Sequence, residues 1–493
     1  MSESAPIPAP SAPSPAPADM AAPSAPPSPA PKNQAQPAPS HPENFSPRGI
    51  AVKILSKIEV TDQRIKELID EGARMASQGG RPLSNEDFNF LCELVHGVLR
   101  NRGHIDYYLS RVSHRPLDQL SPWVRNLLRV SVQQIIDMLE IPHGPIVDEA
   151  TEISKSQGHE GVVKFVNGVL REICRQKAED KLPALPADPV AALAIRQSHP
   201  HWMAARLVES YGFDKAERFM DASFSAPPLT LRANAMRIRR DELAGRVHKA
   251  GFHVEACRYS PWGLRIKEGV DVRRLPGFSE GDFFVQDESS QLIARLLDLR
   301  PGQHVADVCA APGGKATHLA ELVGPKGLVY AFDRKTQGLD KMQASLRRLG
   351  VQHLIVEVRD ALFPREDLLG RLDAVLVDAP CSALGVLRRR LESRWQLRPD
   401  NIPNQAARQK RILEASSRYL RPGGILVYAT CTLEEQENEE VVRKFLDENP
   451  HFAFERASMF LERELVTPEG FFRVWPGQEQ MDGFFAARMR RVR

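Results

Sequence analysis

The sequence predicts a multidomain protein in which an all-α domain is followed by a small α+β domain and then by an α/β domain with a Rossmann-like sheet. Its 493 residues are enough for about three domains of roughly 100 to 200 residues each. Apolar residues recur at spacings of three and four between residues 48 and 180, as in amphipathic helices. Beyond residue 281, short apolar runs alternate with helical patterns, which favours a largely parallel sheet.

Composition indicates a globular protein of a reducing compartment. Charged residues make up 26% of the chain and hydrophobic residues 42%, and no run approaches the roughly 18 apolar residues of a membrane span. The net charge of +3 means that any basic surface must be local. The six cysteines include no C-x-x-C pair, which argues against a zinc site and against a secreted disulfide framework. We expect a cytoplasmic monomer with no metal and no membrane partner.

The first segment, residues 1–47, is predicted to be a disordered tail. It holds 15 of the 39 prolines, mixed with alanine and serine. Such a segment cannot bury enough apolar surface to offset its chain entropy. A signal peptide is not expected, because no basic stretch precedes an apolar core.

Residues 48–180 are predicted to form the helical domain, and one part of it is rich in arginine. Between residues 100 and 129 the only acids are Asp106 and Asp118. A local excess of arginine can follow a phosphate backbone, although a solvated helix face explains any single arginine equally well. The arginines are Arg100, Arg102, Arg111, Arg115, Arg125 and Arg129.

A break at KLPALPADP (181–189) leads into the small α+β domain, residues 190–280. It combines helical patterns with a strand-like run, LTLRANAM (229–236), and a basic helix candidate, RIRRDELAGRVHKAG. Four arginines there are candidates either for RNA phosphate contacts or for simple surface charge. They are Arg232, Arg237, Arg239 and Arg240.

The α/β domain, residues 281–493, is predicted to contain parallel strands and a closing antiparallel pair. The pair is formed by FFRVWP (471–476) and DGFFAARMRR (482–491). The predicted parallel strands are 304–310, 328–333, 353–358, 373–378 and 424–430.

The first of these strands runs into a glycine-rich loop, HVADVCAAPGGKAT (304–317). A strand that ends in small residues exposes backbone N–H groups to a polar cofactor. A tight turn would give a similar pattern, but Asp333 follows about 20 residues later at the end of the next strand, where a ribose-binding carboxylate belongs. The pattern G-x-G-x-x-G is absent, so a nicotinamide or flavin cofactor is the weaker choice.

Two cysteines follow two other predicted strands. Cys381 comes after LDAVLVDAP and Cys431 after GGILVYAT. Ligands bind at the carboxyl ends of strands in open α/β sheets, so both thiols should face the cofactor pocket. A lone buried cysteine is usually inert packing, but two at equivalent positions favour a role in chemistry.

These strings resemble the motifs of a known enzyme family. DVCAAPGGK, DAPCS and YATCT are similar, in this order and at roughly these spacings, to the S-adenosylmethionine loop, the Pro-Cys motif and the Thr-Cys motif of the Nol/Nop/Sun family of RNA cytosine-5 methyltransferases. The helical region, including FVNGVLREI (165–173), resembles NusB-like domains, which implies RNA binding.

The resemblance implies S-adenosyl-L-methionine as the cofactor and gives roles to particular residues. Asp333 would bind the ribose hydroxyls and Asp360 would lie near the adenine amino group. Lys315 would either anchor the cofactor loop or act electrostatically in the pocket. The implied cofactor-binding residues are Cys309, Ala310, Ala311, Pro312, Gly313, Gly314, Lys315, Asp333, Asp360 and Asp378.

Cytosine chemistry explains why the family needs a thiol. Carbon 5 is a poor nucleophile until a thiolate adds to carbon 6, and a base must then remove the proton from carbon 5. By resemblance, Cys431 is the nucleophile and Cys381 assists product release, while Asp378 can accept a hydrogen bond from the cytosine. DNA cytosine methyltransferases use the Pro-Cys thiol, so Cys381 alone would not identify the nucleophile.

The sequence departs from the family pattern at several positions. Leu384 stands where threonine is common, Leu391 and Glu392 replace a Pro-Asp pair, and Thr432 replaces serine. These changes remove no catalytic group, but they lie near the loop Arg388–Arg389–Arg390, which we expect to border the RNA groove.

The resemblance implies methylation of carbon 5 of a cytosine in small-subunit (16S) ribosomal RNA, the expected partner. Two alternatives stay open at this point. One is the same chemistry on tRNA or another RNA, and the other is an RNA-binding assembly factor with vestigial catalysis.

Overall fold

The computed structural model describes residues 45–61, 63–156 and 158–493. The predicted tail therefore lies, up to residue 44, outside the described residues. None of the helices in the described part of the chain is long and apolar enough to cross a membrane.

The N-terminal part is helical, as predicted. Proline begins α1 and α4, where its missing N–H group costs no hydrogen bond, and Ser84 and Asp87 form a capping box at the start of α3. The apolar faces of the helices meet in one shared core. The helices are α1 (Pro47–Ile58), α2 (Ile65–Gln78), α3 (Asn85–Val112), α4 (Pro122–Asp137), α5 (His143–Lys155) and α6 (Glu160–Ala178).

In the arginine-rich part of this domain, three of the six arginines, Arg102, Arg125 and Arg129, form ion pairs within the domain, which argues against a phosphate contact for those three. Arg125 and Arg129 both form ion pairs with Glu59 at the end of α1. Arg129 also donates to Asp106 from Nε and Nη2, each over 2.7 Å. Glu59, the acid that neutralises these arginines, lies outside the arginine-rich segment, residues 100–129. Of the six arginines, Arg111 and Arg115 are exposed.

The middle region combines helices with a small antiparallel sheet of order β2-β3-β1-β4. The last strand of this sheet, β4, lies beyond residue 280, so the sheet extends past the predicted end of the small domain. The elements are α7 (Pro189–Arg196), α8 (His201–Tyr211), α9 (Phe213–Ala222), β1 (Leu229–Ala233), α10 (Arg240–Lys249), β2 (Val254–Ala256), β3 (Gly263–Ile266) and β4 (Phe283–Val285).

Arg232 is a structural residue, which corrects its proposed role in phosphate binding. Its side chain is fully buried, and its guanidinium lies 2.6 Å from the carboxylate of Glu321. It also donates to the carbonyl oxygen of Gly314 over 2.5 Å. Arg237 is exposed, but its side chain donates to the carbonyl oxygen of Leu349 over 2.9 Å. The exposed Arg239 keeps the predicted surface position.

The C-terminal part is a Rossmann-like α/β domain, as predicted. Its sheet has the order β10-β12-β9-β8-β5-β6-β7, with β11 paired to β12. Strands β5 to β9 pair in parallel and the closing strands pair antiparallel. Apolar clusters cover both faces of the sheet. The elements are α11 (Glu288–Leu297), β5 (His304–Asp307), α12 (Gly314–Val323), β6 (Leu328–Asp333), α13 (Thr336–Leu349), β7 (Leu354–Val358), β8 (Leu372–Asp378), α14 (Ser393–Gln396), α15 (Asn401–Ser417), β9 (Leu420–Thr430), α16 (Glu439–Glu448), β10 (Phe452–Glu455), β11 (Phe472–Val474) and β12 (Phe484–Arg491).

The reassignment of Arg232 gives a stability prediction. Arg232→Ala leaves the buried Glu321 without its cation, and breaking a buried pair costs about 3–5 kcal/mol. Thermal denaturation followed by circular dichroism should therefore show a clear loss of stability. The control, Arg239→Ala on the exposed surface, should change stability by less than about 0.5 kcal/mol. Equal and small effects of the two substitutions would contradict the structural role of Arg232.

Candidate active site

The glycine-rich loop follows β5 at the topological switch point of the sheet. The N–H of Ala310 donates to the carbonyl oxygen of Phe332 over 2.8 Å, which ties the loop to β6. Gly313 has φ +104°, and a Cβ atom there would lie 2.5 Å from Cγ of Met342. Only glycine is compatible with that backbone conformation and that contact. The peptide bond between Ala311 and Pro312 is cis.

Asp333 lies at the carboxyl end of β6, as predicted, and faces the same loop. One of its carboxylate oxygens accepts from the N–H of Ala311 over 3.0 Å, and the other accepts from the N–H of Lys335 over 2.9 Å. Asp360 lies beyond the end of the next strand and accepts from the N–H of Leu362 over 3.1 Å. The two predicted cofactor acids therefore sit at neighbouring strand ends with fixed orientations.

Lys315 contacts residues outside its own loop. Its Nζ donates to Asp378 over 2.7 Å and lies 4.7 Å from the ring centroid of Phe484. This contact joins the glycine-rich loop to the carboxyl end of β8.

Asp307 is a site residue that the sequence did not single out. It is fully buried, and its Oδ2 has no hydrogen-bond partner within the described residues. Burial, with the nearby charge of Asp378 as a second cause, raises the pKa of Asp307 to about 8. The carboxyl group is therefore mostly protonated at neutral pH.

These residues fit S-adenosylmethionine. Asp307, Asp333 and Asp378 converge around the loop while Lys315 supplies one cation. A carboxylate-rich site suits a ligand that carries an ammonium group, a sulfonium group and ribose hydroxyls. The unpartnered oxygen of Asp307 leaves its carboxyl group able to form one more hydrogen bond in the same place.

The two predicted catalytic thiols meet. Sγ of Cys381 lies 3.5 Å from Sγ of Cys431, and the hydroxyls of Ser382 and Thr432 are 2.6 Å apart beside them. The hydrogen bond with Cys431, and then burial, raise the pKa of Cys381 well above its ordinary value. The raised pKa favours the thiol form of Cys381, and either sulfur can be the donor in this contact.

Cys309, the third thiol near the site, is not a nucleophile candidate. It packs against the apolar cluster on one face of the sheet. Burial, and then the charge of Asp307, raise its pKa well above the ordinary value. Cys309 stays a predicted cofactor-binding residue of the loop.

Glu437 and Asn438 hold the two thiol loops, and sequence reasoning missed both residues. Oε2 of Glu437 accepts from the N–H of Ser382 over 2.9 Å and from Gln409 over 2.8 Å. Asn438 accepts from the hydroxyl of Thr430 over 2.5 Å and donates to the carbonyl oxygen of Thr432 over 3.1 Å. In the sequence they lie within the polar stretch LEEQENEE, a pattern that is typical of a solvent-exposed helix start.

The departure at Leu384 has a packing explanation. Leu384, Leu387 and Leu433 are buried together against the apolar faces of α7, α8 and α9. The helices of the middle region thus support both thiol loops, and an apolar side chain at residue 384 suits that contact.

The expected RNA-facing loop Arg388–Arg390 is only partly free, which corrects that expectation. Arg388 is buried and pairs with Asp482 over 2.7 Å, and Arg389 pairs with the same carboxylate over 2.5 Å. Arg389 and Arg390 are both exposed. The two pairs with Asp482 fix the loop near the start of β12, so Arg388 is not free to contact a phosphate backbone.

Comparison with known proteins agrees with this architecture. The family described as 16S rRNA methyltransferase RsmB/F matches residues 294–490, the NusB family matches residues 46–175, and the ferredoxin-like domain of RsmF/B-like methyltransferases matches residues 199–273. The probable ribosomal RNA small subunit methyltransferase B of Bacillus subtilis is 35% identical over 455 residues, which cover 90% of this chain and 99% of that protein.

This chain belongs to the RsmB/F methyltransferase family. A Synechocystis protein with the same description is 32% identical, over 91% of this chain and all of that protein. Among solved structures, PH0851 matches with a TM-score of 0.75 and 28% identity, over 90% of this chain and 98% of that one. A methyltransferase homologue from Pyrococcus horikoshii matches with a TM-score of 0.55 and 29% identity, over 62% of this chain and all of that one.

Membership confirms the predicted fold class and cofactor. This chain matches the NusB family, the ferredoxin-like domain and the methyltransferase domain in this order. S-adenosyl-L-methionine is accordingly the cofactor, and the residues at the carboxyl ends of β5, β6 and β8 stay its predicted site.

The position of Asp333 predicts its contribution to cofactor affinity. Asp333→Ala removes a charged acceptor, and such a hydrogen bond contributes roughly 1.5–3 kcal/mol, or about ten- to a hundredfold in affinity. Titration calorimetry with S-adenosylmethionine should show that loss. Asp340→Ala, an exposed acid on α13, serves as the control and should bind normally. Unchanged affinity in Asp333→Ala would remove Asp333 from the site.

The raised pKa of Asp307 predicts a pH-dependent stability. Between about pH 4 and about pH 8 the unfolded chain has lost this proton while the folded protein retains it, so stability falls as pH rises. Asp307→Asn has no titrating group at this position. Its free energy of unfolding, relative to that of the wild type, should therefore rise over this pH range, by on the order of a few kcal/mol. Melting temperatures of both proteins, measured without cofactor from pH 5 to pH 8, test this. A difference that does not change with pH would contradict the assignment.

Proposed function

We propose that this protein methylates carbon 5 of a cytosine in 16S ribosomal RNA through a covalent adduct with Cys431. The observation that carries the proposal is the 3.5 Å contact between two thiols at adjacent strand ends, beside the cofactor site. Support for the substrate comes from the relatives described as small-subunit ribosomal RNA methyltransferases and from the match to the NusB family.

The thiol pair gives each cysteine a distinct part in the proposed reaction. S-adenosylmethionine supplies the methyl group. Cys431, as a thiolate, adds to carbon 6 of the cytosine, and carbon 5 then accepts the methyl group. The proton on carbon 5 leaves to a base, and the electron pair of that C–H bond restores the ring double bond as the bond from Cys431 to carbon 6 breaks.

The surroundings of Cys381 favour the release role over attack. A thiol whose pKa is raised by a hydrogen bond to its neighbour and by burial is a poor nucleophile. It remains able to donate to the sulfur of Cys431 when that sulfur leaves. Asp378, which accepts from Lys315, would accept from the cytosine amino edge.

The domain boundaries belong to the same proposal. Residues 48–180 and 190–280 would bind RNA around the catalytic part, residues 281–493. The exposed arginines Arg111, Arg115 and Arg239 are the candidates that keep a role in phosphate contact.

The two cysteines can be separated by substitution. Cys431→Ala should lose methyl transfer to background and form no covalent RNA complex. Cys381→Ala should still attack and methylate but should stay attached to its product, which a denaturing gel would show as a slow band sensitive to protease. Cys174→Ala, on α6, is the matched control and should behave as the wild type.

The reversed pattern of trapping would exchange the roles of the two thiols. Full activity in both single variants would contradict the covalent mechanism altogether. The substrate is tested independently by bisulfite sequencing of 16S ribosomal RNA from a strain that lacks this protein. A cytosine protected in the parent strain and converted in the deletion strain is expected, and no such position would contradict the proposed substrate.

A further inference from the structure

A short segment of the catalytic domain, Leu391–Gln396, is embedded in the helical domain. Leu391 is buried as part of the helical domain's apolar core, and Trp395 packs against the same core. Nε1 of Trp395 donates to the carbonyl oxygen of Leu99 over 2.8 Å, and the guanidinium of Arg102 lies over the Trp395 ring at 4.9 Å. We call these residues the 391–396 segment.

Polar contacts fix the same segment to the chain ends of neighbouring helices. Nε2 of Gln396 donates to the carbonyl oxygens of Ile58, over 3.1 Å, and Thr61, over 3.0 Å, where α1 ends. Arg394 is fully buried and donates to the carbonyl oxygen of Ser198 over 3.0 Å. It also donates to the hydroxyl of Ser223 over 2.6 Å. Such buried polar contacts are directional, so the segment has little freedom to shift.

The 391–396 segment continues directly from the loop that carries Cys381. Midway between them, the N–H of Gly385 donates to the carbonyl oxygen of Cys431 over 2.9 Å. A Cβ atom on Gly385 would lie 2.3 Å from the carbonyl oxygen of Gly483, so the backbones are in close contact there. Arg388 and Arg389 then hold the loop to Asp482. A displacement of the 391–396 segment would therefore reach Cys381 through a short, closely packed connection.

We propose that the helical domain positions Cys381 through the 391–396 segment and thereby sets the rate of product release, in addition to any contact it makes with RNA. This inference rests on the proposed function, in which Cys381 assists the departure of Cys431. Trp395 and Gln396 are positioning residues in this account, because they act through the Cys381 loop and touch no substrate. The helical domain is not an independent RNA-binding module in this account, since its removal would expose Leu391 and Trp395, which pack against its core.

The test uses the full-length protein with paired substitutions. Trp395→Phe removes the indole N–H but keeps an aromatic ring, and Gln396→Ala removes the two bonds to the end of α1. In the double variant, methyl transfer in a single turnover should stay within about twofold of the wild type, whereas multiple-turnover release should fall by about ten- to a hundredfold, the scale of a small misplacement of a catalytic group. The covalent RNA complex should accumulate on a denaturing gel.

The control is Lys341→Ala. Lys341 on α13 makes another contact between the same two regions, a 3.0 Å ion pair with Glu67, and it is not connected to the Cys381 loop. Lys341→Ala should release product normally. Gln396→Ala alone should also slow product release, but by less than the double variant. If the double variant does not fold, the single variant is used for the test.

Three results would overturn the inference. The first is normal product release in both the Gln396→Ala variant and the double variant. The second is equally slow product release in Lys341→Ala, which would indicate a general loosening of the domains. The third is an equal fall in transfer and release together with weaker RNA binding. Trapping in Cys381→Ala beside normal release in the double variant would overturn this inference alone, whereas the absence of any complex from Cys381→Ala would contradict the proposed function and the inference with it.

Discussion

Parallel pairing of β8 with β9, with Asp378 opposite Ala429, is the constraint on which the rest of the site depends. Adjacent strands lie about 4.8 Å apart, so residues that follow the paired positions closely stay near one another, even where the two loops are offset by one residue. Cys381 lies three residues beyond Asp378, Cys431 lies two residues beyond Ala429, and their sulfur atoms are 3.5 Å apart. A change of strand register by one residue would turn these side chains to the other face of the sheet.

The supporting contacts all serve to keep these two strand ends in place. Glu437 and Asn438 fix one loop each through buried hydrogen bonds, and Leu384 and Leu433 join the loops to the helices of the middle region. Electrostatic repulsion destabilises the site, because several carboxyl groups lie close together on the side of the pocket across from the two thiols. Asp307 avoids part of the repulsion by retaining its proton, and Asp378 avoids it by pairing with Lys315.

The sequence was sufficient to predict the features that depend on local pattern. The apolar strands, the glycine-rich loop, Asp333 and the two thiols are each marked by residues close together in the chain, and the strand-end rule brings them into one pocket. The features that could not be predicted depend on partners far away. Arg129 finds Glu59 at a separation of 70 residues and Arg232 finds Glu321 at 89, so an apparent excess of basic residues was already neutralised. The 391–396 segment likewise looks like a surface loop until the helical domain that covers it is in place.

The most direct test of the account is to identify the residue that attacks the RNA. In RNA containing 5-fluorocytidine, the fluorine on carbon 5 cannot leave as a proton does, so a covalent adduct persists after methyl transfer. Digestion of the complex formed with S-adenosylmethionine, followed by mass spectrometry of the peptides, locates the attached nucleotide. The account predicts that the nucleotide is carried by the peptide that contains Cys431. Attachment to Cys381, or the absence of any adduct in an active preparation, would contradict it.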